Sequence, residues 1–154
     1  MNYQRERWHD FHQEAMPLFR EHWNETPDYA GLEFDPNIET YNMLEAANML
    51  RCFTARSKGQ LVAYDIFMVI HHRHARSSLV ALSDVLFVLP AFRTGRTVYR
   101  LISYCNDQLA MEGVQVAYYH VNKAHDFSNL LEFMGHRTVG LMCSINLQER
   151  PCRS

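Results

Sequence analysis

Two side chains able to take up a proton stand at strand positions. Asp84 interrupts the otherwise apolar run Val80 to Leu89, and His120 closes the run Val114 to Val121. The strand period of two puts Asp84 on the face of Leu86 and Val88. Burial there would raise its pKa and make it a more useful base. A histidine at a strand end can deprotonate an ammonium near neutral pH. Each has a plainer reading as well: a carboxylate satisfied by backbone or a neighbouring arginine, and a hydrogen-bonded strand-end imidazole. Between them lies the turn Ala91-Phe-Arg-Thr-Gly-Arg-Thr97. A turn at a helix N-terminus offers free N–H groups to an anion, and Arg93 and Arg96 add charge to it. His71, His72 and His74 invite a metal reading, but HHxH in a loop lacks the spacing of a zinc site, so no metal is expected.

The elements that must position these groups form a strand, turn, helix, strand unit from Val80 to Val121. Pro90 ends the first strand. Val98, Leu101, Ile102, Cys105 and Leu109 follow helical spacing, and Gly113 sits where a helix C-terminus wants it. This is a βαβ unit, whose crossover should be right-handed. Upstream, residues 3–24 carry Trp8, Phe11, His12, Ala15, Leu18, Phe19 and His22 at three- and four-residue steps, which predicts an amphipathic helix with a kink or restart near Pro17. Thr26 to Pro36 reads as a loop, and Ile38 to Asn48 as a short helix with Tyr41, Leu44 and Ala47 inward. Met49 to Arg56 and Leu61 to Ile70 form a hairpin about Ser57-Lys-Gly-Gln60. His71 to Ser78 reads as a polar loop. Phe127 to Met134 reads as a short helix capped by Gly135, Arg137 to Leu147 as a last strand, and the tail after Gln148 as loose. The sum is a mixed α/β sheet.

Length and charge narrow the class. The 154 residues suit a single domain, 1–154. A net charge of −2 argues against broad nucleic-acid or membrane binding. Cys52, Cys105, Cys143 and Cys152 form no CxxC and read as reduced, mostly buried thiols. No apolar run is long enough to span a bilayer, and the polar start is unlike a signal peptide, so a cytosolic protein is expected.

Three stretches carry a family resemblance: Asp84-Val-Leu-Phe-Val-Leu-Pro-Ala-Phe-Arg93, Arg93-Thr-Gly-Arg-Thr-Val98 and Asn129-Leu-Leu-Glu-Phe-Met-Gly135. With the order of elements, they resemble the Gcn5-related N-acetyltransferases. More narrowly, Phe53 to Val62, Gly113 to Val116 and Ala124 to Asp126 are similar to small members encoded by tailed bacteriophages, which implies the host cytoplasm. The resemblance implies a mixed, mostly antiparallel sheet with a central splayed parallel strand pair and flanking helices. It implies acetyl-CoA as co-substrate and an amine as acceptor, and a homodimer is compatible with it.

By the same resemblance, the backbone of Phe87 and Val88 pairs with pantetheine. Arg93, Thr94, Gly95, Arg96, Thr97 and Val98 hold the pyrophosphate, and Asp84 or His120 is the base. The chain departs from the family pattern in two places. Arg96 and Val98 stand where the turn has Gly and then Gly or Ala. Leu131 stands where a tyrosine acid is usual, leaving that role to Tyr104, Tyr118, Tyr119 or water. Asn122 lies near the family's asparagine. The competing expectation is a protein of this fold that has lost catalysis and binds acyl-CoA or a partner protein.

Overall fold

The computed structural model describes residues 1–26 and 32–147. Its sheet has the order β1-β2-β3-β4-β5, with β1 Asn2–Glu6, β2 Leu50–Ser57, β3 Gln60–His72, β4 Ala75–Val88 and β5 Val114–Tyr118. Neighbours pair antiparallel as far as β4, and β4 pairs with β5 in parallel. The helices are α1 Trp8–Asn24, α2 Ile38–Ala46, α3 Gly95–Met111 and α4 Ser128–Phe133.

Helices cover both faces of the sheet, which explains why β2 and β3 are buried along most of their length. On one face α3 lays Leu101, Cys105 and Leu109 against Phe53, Phe67, Ala81 and Val88. On the other, Trp8, Phe11 and Phe19 of α1 pack on Tyr64, Ile66 and Phe87, with Tyr41 and Leu44 of α2 beside them. The β2–β3 hairpin turns through Lys58 and Gly59, both at positive φ (51° and 87°), as its two-residue turn requires.

Several expectations are corrected. Residues 2–6 are a strand, pairing Asn2–Glu6 with Arg56–Cys52, because the β2 edge offers hydrogen bonds that a polar helical turn cannot match. Arg5 then reaches Glu112 at 2.7 Å. Helix α1 continues through Pro17 without a restart. Ala47 lies beyond α2 and is exposed. The histidine-rich stretch is no loop: β3 and β4 continue through it and turn only at Arg73 and His74. Strand β5 stops at Tyr118, three residues early.

Arg137 to Leu147 forms no strand, and Val139, Leu141, Met142, Ile145 and Leu147 are exposed. The outer edge of β5 has no partner among the described residues, so an edge was at hand and apolar alternation alone did not bring this segment to it. Cys52 and Cys105 are buried free thiols while Cys143 is exposed; Cys152, the tail after Gln148 and part of the Thr26 to Pro36 loop lie outside the described residues. Among the described residues no helix is long and apolar enough to cross a membrane.

Candidate active site

Asp84 owes its position to a β-bulge. Ile66 pairs with Val85 and Phe67 with Ser83, so Asp84 has no partner across the ladder. The extra residue changes which parity of β4 faces which helix. Before it, Leu79 and Ala81 join the α3 core; after it, Leu86 and Val88 do, while Val85 and Phe87 join the α1 side. Period two therefore fails at this residue. Asp84 does not share the face of Leu86 and Val88. It is exposed rather than buried, and its Oδ2 accepts the Tyr41 hydroxyl at 2.6 Å.

Beyond the bulge the parallel pair opens. Pairing runs from Leu79 with Val114 to Leu82 with Tyr118 and ends there, whereas β4 continues to Val88. Leu89 N–H donates to Val62 O at 2.9 Å. Counting back by two along the antiparallel ladder, Phe87 and Val85 turn their peptide groups toward β3, and Leu86 and Val88 turn theirs to the open side. Phe87 contributes its ring, stacked on His22 (5.1 Å, 23°) and beneath the Arg93 guanidinium (5.3 Å).

The gap is a cavity of about 520 Å³ lined by Asp84, Phe87, Val88, Arg93, Thr94, Val98 and His120, with His22, Glu25, Asn122 and His125. Arg96 and Thr97 do not line it. His120 lies past the end of β5 and is exposed, with no hydrogen-bond partner among the described residues. A 3-10 turn, Pro90–Phe92, leads to α3.

Thr94 caps α3: its hydroxyl accepts the Thr97 N–H at 3.3 Å and lies 3.0 Å from the Thr97 hydroxyl. The Thr97 and Val98 amides also reach Thr94 O. Of the turn's N–H groups, that of Arg96 thus remains for an anion, since the first turn of a helix has no internal acceptor for it. Arg96 itself is exposed. Arg93 is engaged twice: Nε donates to Val88 O at 2.7 Å, and the guanidinium pairs with Glu25 at 2.5 Å.

His22 and Glu25 were not identifiable as site residues from sequence. His22 sits in the apolar stripe of α1, its Nδ1 3.3 Å from the Tyr64 hydroxyl, and burial pushes its pKa down to about 4, so it is neutral at pH 7. A histidine inside an apolar stripe was the available signal; Glu25, one residue beyond α1, gave none. Tyr104, Tyr118 and Tyr119 do not line the cavity, and the Tyr119 hydroxyl is taken by Asn106 at 2.9 Å. Leu131 is buried. Asn122 lines the cavity while its side chain accepts the Ala124 N–H at 2.8 Å. The histidine stretch 71–74 does not line the cavity, and among the described residues no three His, Cys, Asp or Glu side chains gather to hold a metal.

No family model and no curated protein matches this sequence. Solved structures do match its fold. A predicted acetyltransferase from Clostridium acetobutylicum, solved with acetyl-CoA, aligns over 97% of both chains at 15% identity and a TM-score of 0.71. A ribosomal-protein-alanine N-acetyltransferase from Brucella melitensis biovar Abortus aligns over 96% of this chain and all of its own, at 15% identity and a TM-score of 0.70. An aminoglycoside acetyltransferase from an uncultured soil metagenomic sample, in complex with sisomicin, aligns over 94% of this chain and 96% of its own, at 16% identity and a TM-score of 0.67. At such identities the likeness establishes the fold.

Proposed function

We propose, from the N-acetyltransferase fold that this chain shares, that it moves an acetyl group from acetyl-CoA to the nitrogen of an amine. One observation carries this reading: β4 outruns its parallel partner, so that an unpaired strand edge, a cavity and the start of a 17-residue helix meet in one place. Pantetheine is an amide-bearing arm, and Leu86 and Val88 face the opening with the peptide groups that such an arm pairs with. The diphosphate end falls at Arg93 to Val98, where the Arg96 amide and the dipole of α3 favour negative charge. The reactive end lies back toward the bulge. There Asp84 or His120 takes the proton that the acceptor ammonium must lose. The freed nitrogen attacks the thioester carbon, the C–S bond breaks, and the nitrogen's second proton passes through water to the departing thiolate, since no tyrosine among the described residues lines the cavity.

The acceptor is an amine of a small molecule or a protein. The neighbours' acceptors, a ribosomal-protein alanine and an aminoglycoside, span both kinds. The same proposal takes residues 1–154 as one domain acting in the cytoplasm, of a host cell if the gene is a phage's. Leu131, buried at the position of the usual acid, favours a second reading in which the chain binds acyl-CoA, or a partner protein, with little turnover.

Calorimetry with acetyl-CoA, followed by an amine screen, tests both. Arg93→Glu should weaken acetyl-CoA by well over tenfold, a charged contact being worth roughly 1.5–3 kcal/mol. No binding, or binding indifferent to that variant, overturns the site. Binding without turnover across the screen selects the second reading.

A further inference from the structure

Resting on the reading of Arg93 to Val98 as a diphosphate site, we infer that Glu25 is a built-in competitor for that site: its carboxylate holds Arg93 until the ligand's diphosphate displaces it. Glu25 stands one residue past α1, its N–H bonded to Glu21 O and His22 O, so its backbone is anchored. Its Oε2 lies 2.5 Å from the Arg93 guanidinium and 3.5 Å from His125 Nε2, while its own carbonyl is 3.2 Å from the same His125 nitrogen. One carboxylate therefore ties together the end of α1, the turn before α3 and the 3-10 turn Lys123–His125, three segments that wall the same cavity.

The pair is not an idle surface contact. The Arg93 and Glu25 side chains are only 32% and 24% exposed, and Arg93 is oriented from its other side by Val88 O and the Phe87 ring. An anion entering the cavity meets a guanidinium already neutralised, with a carboxylate beside it. Either the anion is repelled or Glu25 lets go. Because the guanidinium recognises carboxylate and phosphate by the same planar fork, the two acids compete for one set of donors. Release of the carboxylate leaves the Glu25 backbone anchored and its carbonyl beside His125 Nε2, so only the side-chain tie to Arg93 is given up. Glu25 thereby lowers affinity for the co-substrate and discriminates for ligands whose charge is dense enough to displace it.

The test compares coenzyme A with pantetheine, which has the same arm but no diphosphate, by calorimetry on the full chain. Glu25→Gln should tighten coenzyme A at least about fivefold, the low end of common coupling energies, and leave pantetheine within about twofold. Glu25→Ala should do the same and serves if Gln re-forms a bond to Arg93. Glu21→Gln, the same charge change one turn earlier, should leave coenzyme A within about twofold of wild type. Unchanged or weaker coenzyme A binding in both Glu25 variants, while wild type binds, overturns the competitor and leaves the diphosphate site standing. Equal tightening of pantetheine, or by Glu21→Gln, also overturns it, because the effect is then general. Failure of wild type and both Glu25 variants to bind coenzyme A at all overturns the diphosphate reading and this inference together.

Discussion

Asp65 should make the stability of this protein fall as pH rises through neutrality. It sits on β3 with no exposed surface, one oxygen accepting the Ser83 hydroxyl at 2.9 Å and the other without a hydrogen-bond partner among the described residues. Burial pushes its pKa up from 3.8 to about 8, against the smaller opposing effect of hydrogen bonds from Ser83 and Cys105. Between those two values the folded chain holds a proton that the unfolded chain has released. Its contribution to stability is complete below pH 3.8 and is lost as pH rises toward 8, by up to about 1.4 kcal/mol per pH unit. His22 works in the opposite sense: its folded pKa is lowered from 6.5 to about 4, so between those values stability rises with pH. The two overlap, and a variant must separate them.

Asp65→Asn removes one titration and keeps the other. The difference in unfolding free energy, variant minus wild type, should grow in the variant's favour between pH 5 and pH 8. For a chain of this length that is roughly 3–6 °C in Tm for each pH unit. Thermal or urea unfolding of both proteins at four pH values reads it directly. Parallel curves for the two proteins would refute the buried, protonated carboxyl. The consequence reaches the cleft, because Ser83 precedes the Asp84 bulge, and a charged Asp65 loosens β3 from β4 where the opening begins.

Asp84→Asn or His120→Gln, whichever group takes the proton, should lower turnover by about 10²–10⁴-fold with acetyl-CoA affinity nearly unchanged, as steady-state kinetics and calorimetry together would show. If neither variant lowers turnover, neither side chain is the base. Leu101→Ala, at a fully buried position between α3 and the sheet, should cost about 2–5 kcal/mol in urea unfolding; a loss under 1 kcal/mol would mean the site collapses around the gap. Gly59→Ala meets no neighbouring atom, yet at φ +87° it should cost about 1–2 kcal/mol; an unchanged unfolding midpoint would mean that the turn adopts another form.

The parts of this protein legible from sequence are those governed by neighbours along the chain. Pro90 ends β4's run, apolar steps of three and four define α3, Gly113 and Gly135 take positive φ after their helices, and Lys58-Gly59 makes the hairpin. Each follows from the sterics of a few adjacent residues, and together they imply the mixed sheet with its parallel β4–β5 pair. The turn at Arg93 was legible for the same reason. Contacts across long separations were not. The bulge at Asp84 exists only in the register between β3 and β4, and one extra residue reversed the facing of everything after it. Residues 2–6 became a strand because the β2 edge lay free beside them. The alternation in Arg137 to Leu147 led to no pairing, although β5 ends the sheet with its outer edge unpaired among the described residues. Glu25 meets Arg93 across 68 residues, and His22 enters the cavity only because α1 crosses the sheet where Tyr64 and Phe87 stand. Side-chain type and local period decide what a segment can become; which strand edge is free, which parity faces the core and which charges meet are decided when the segments pack.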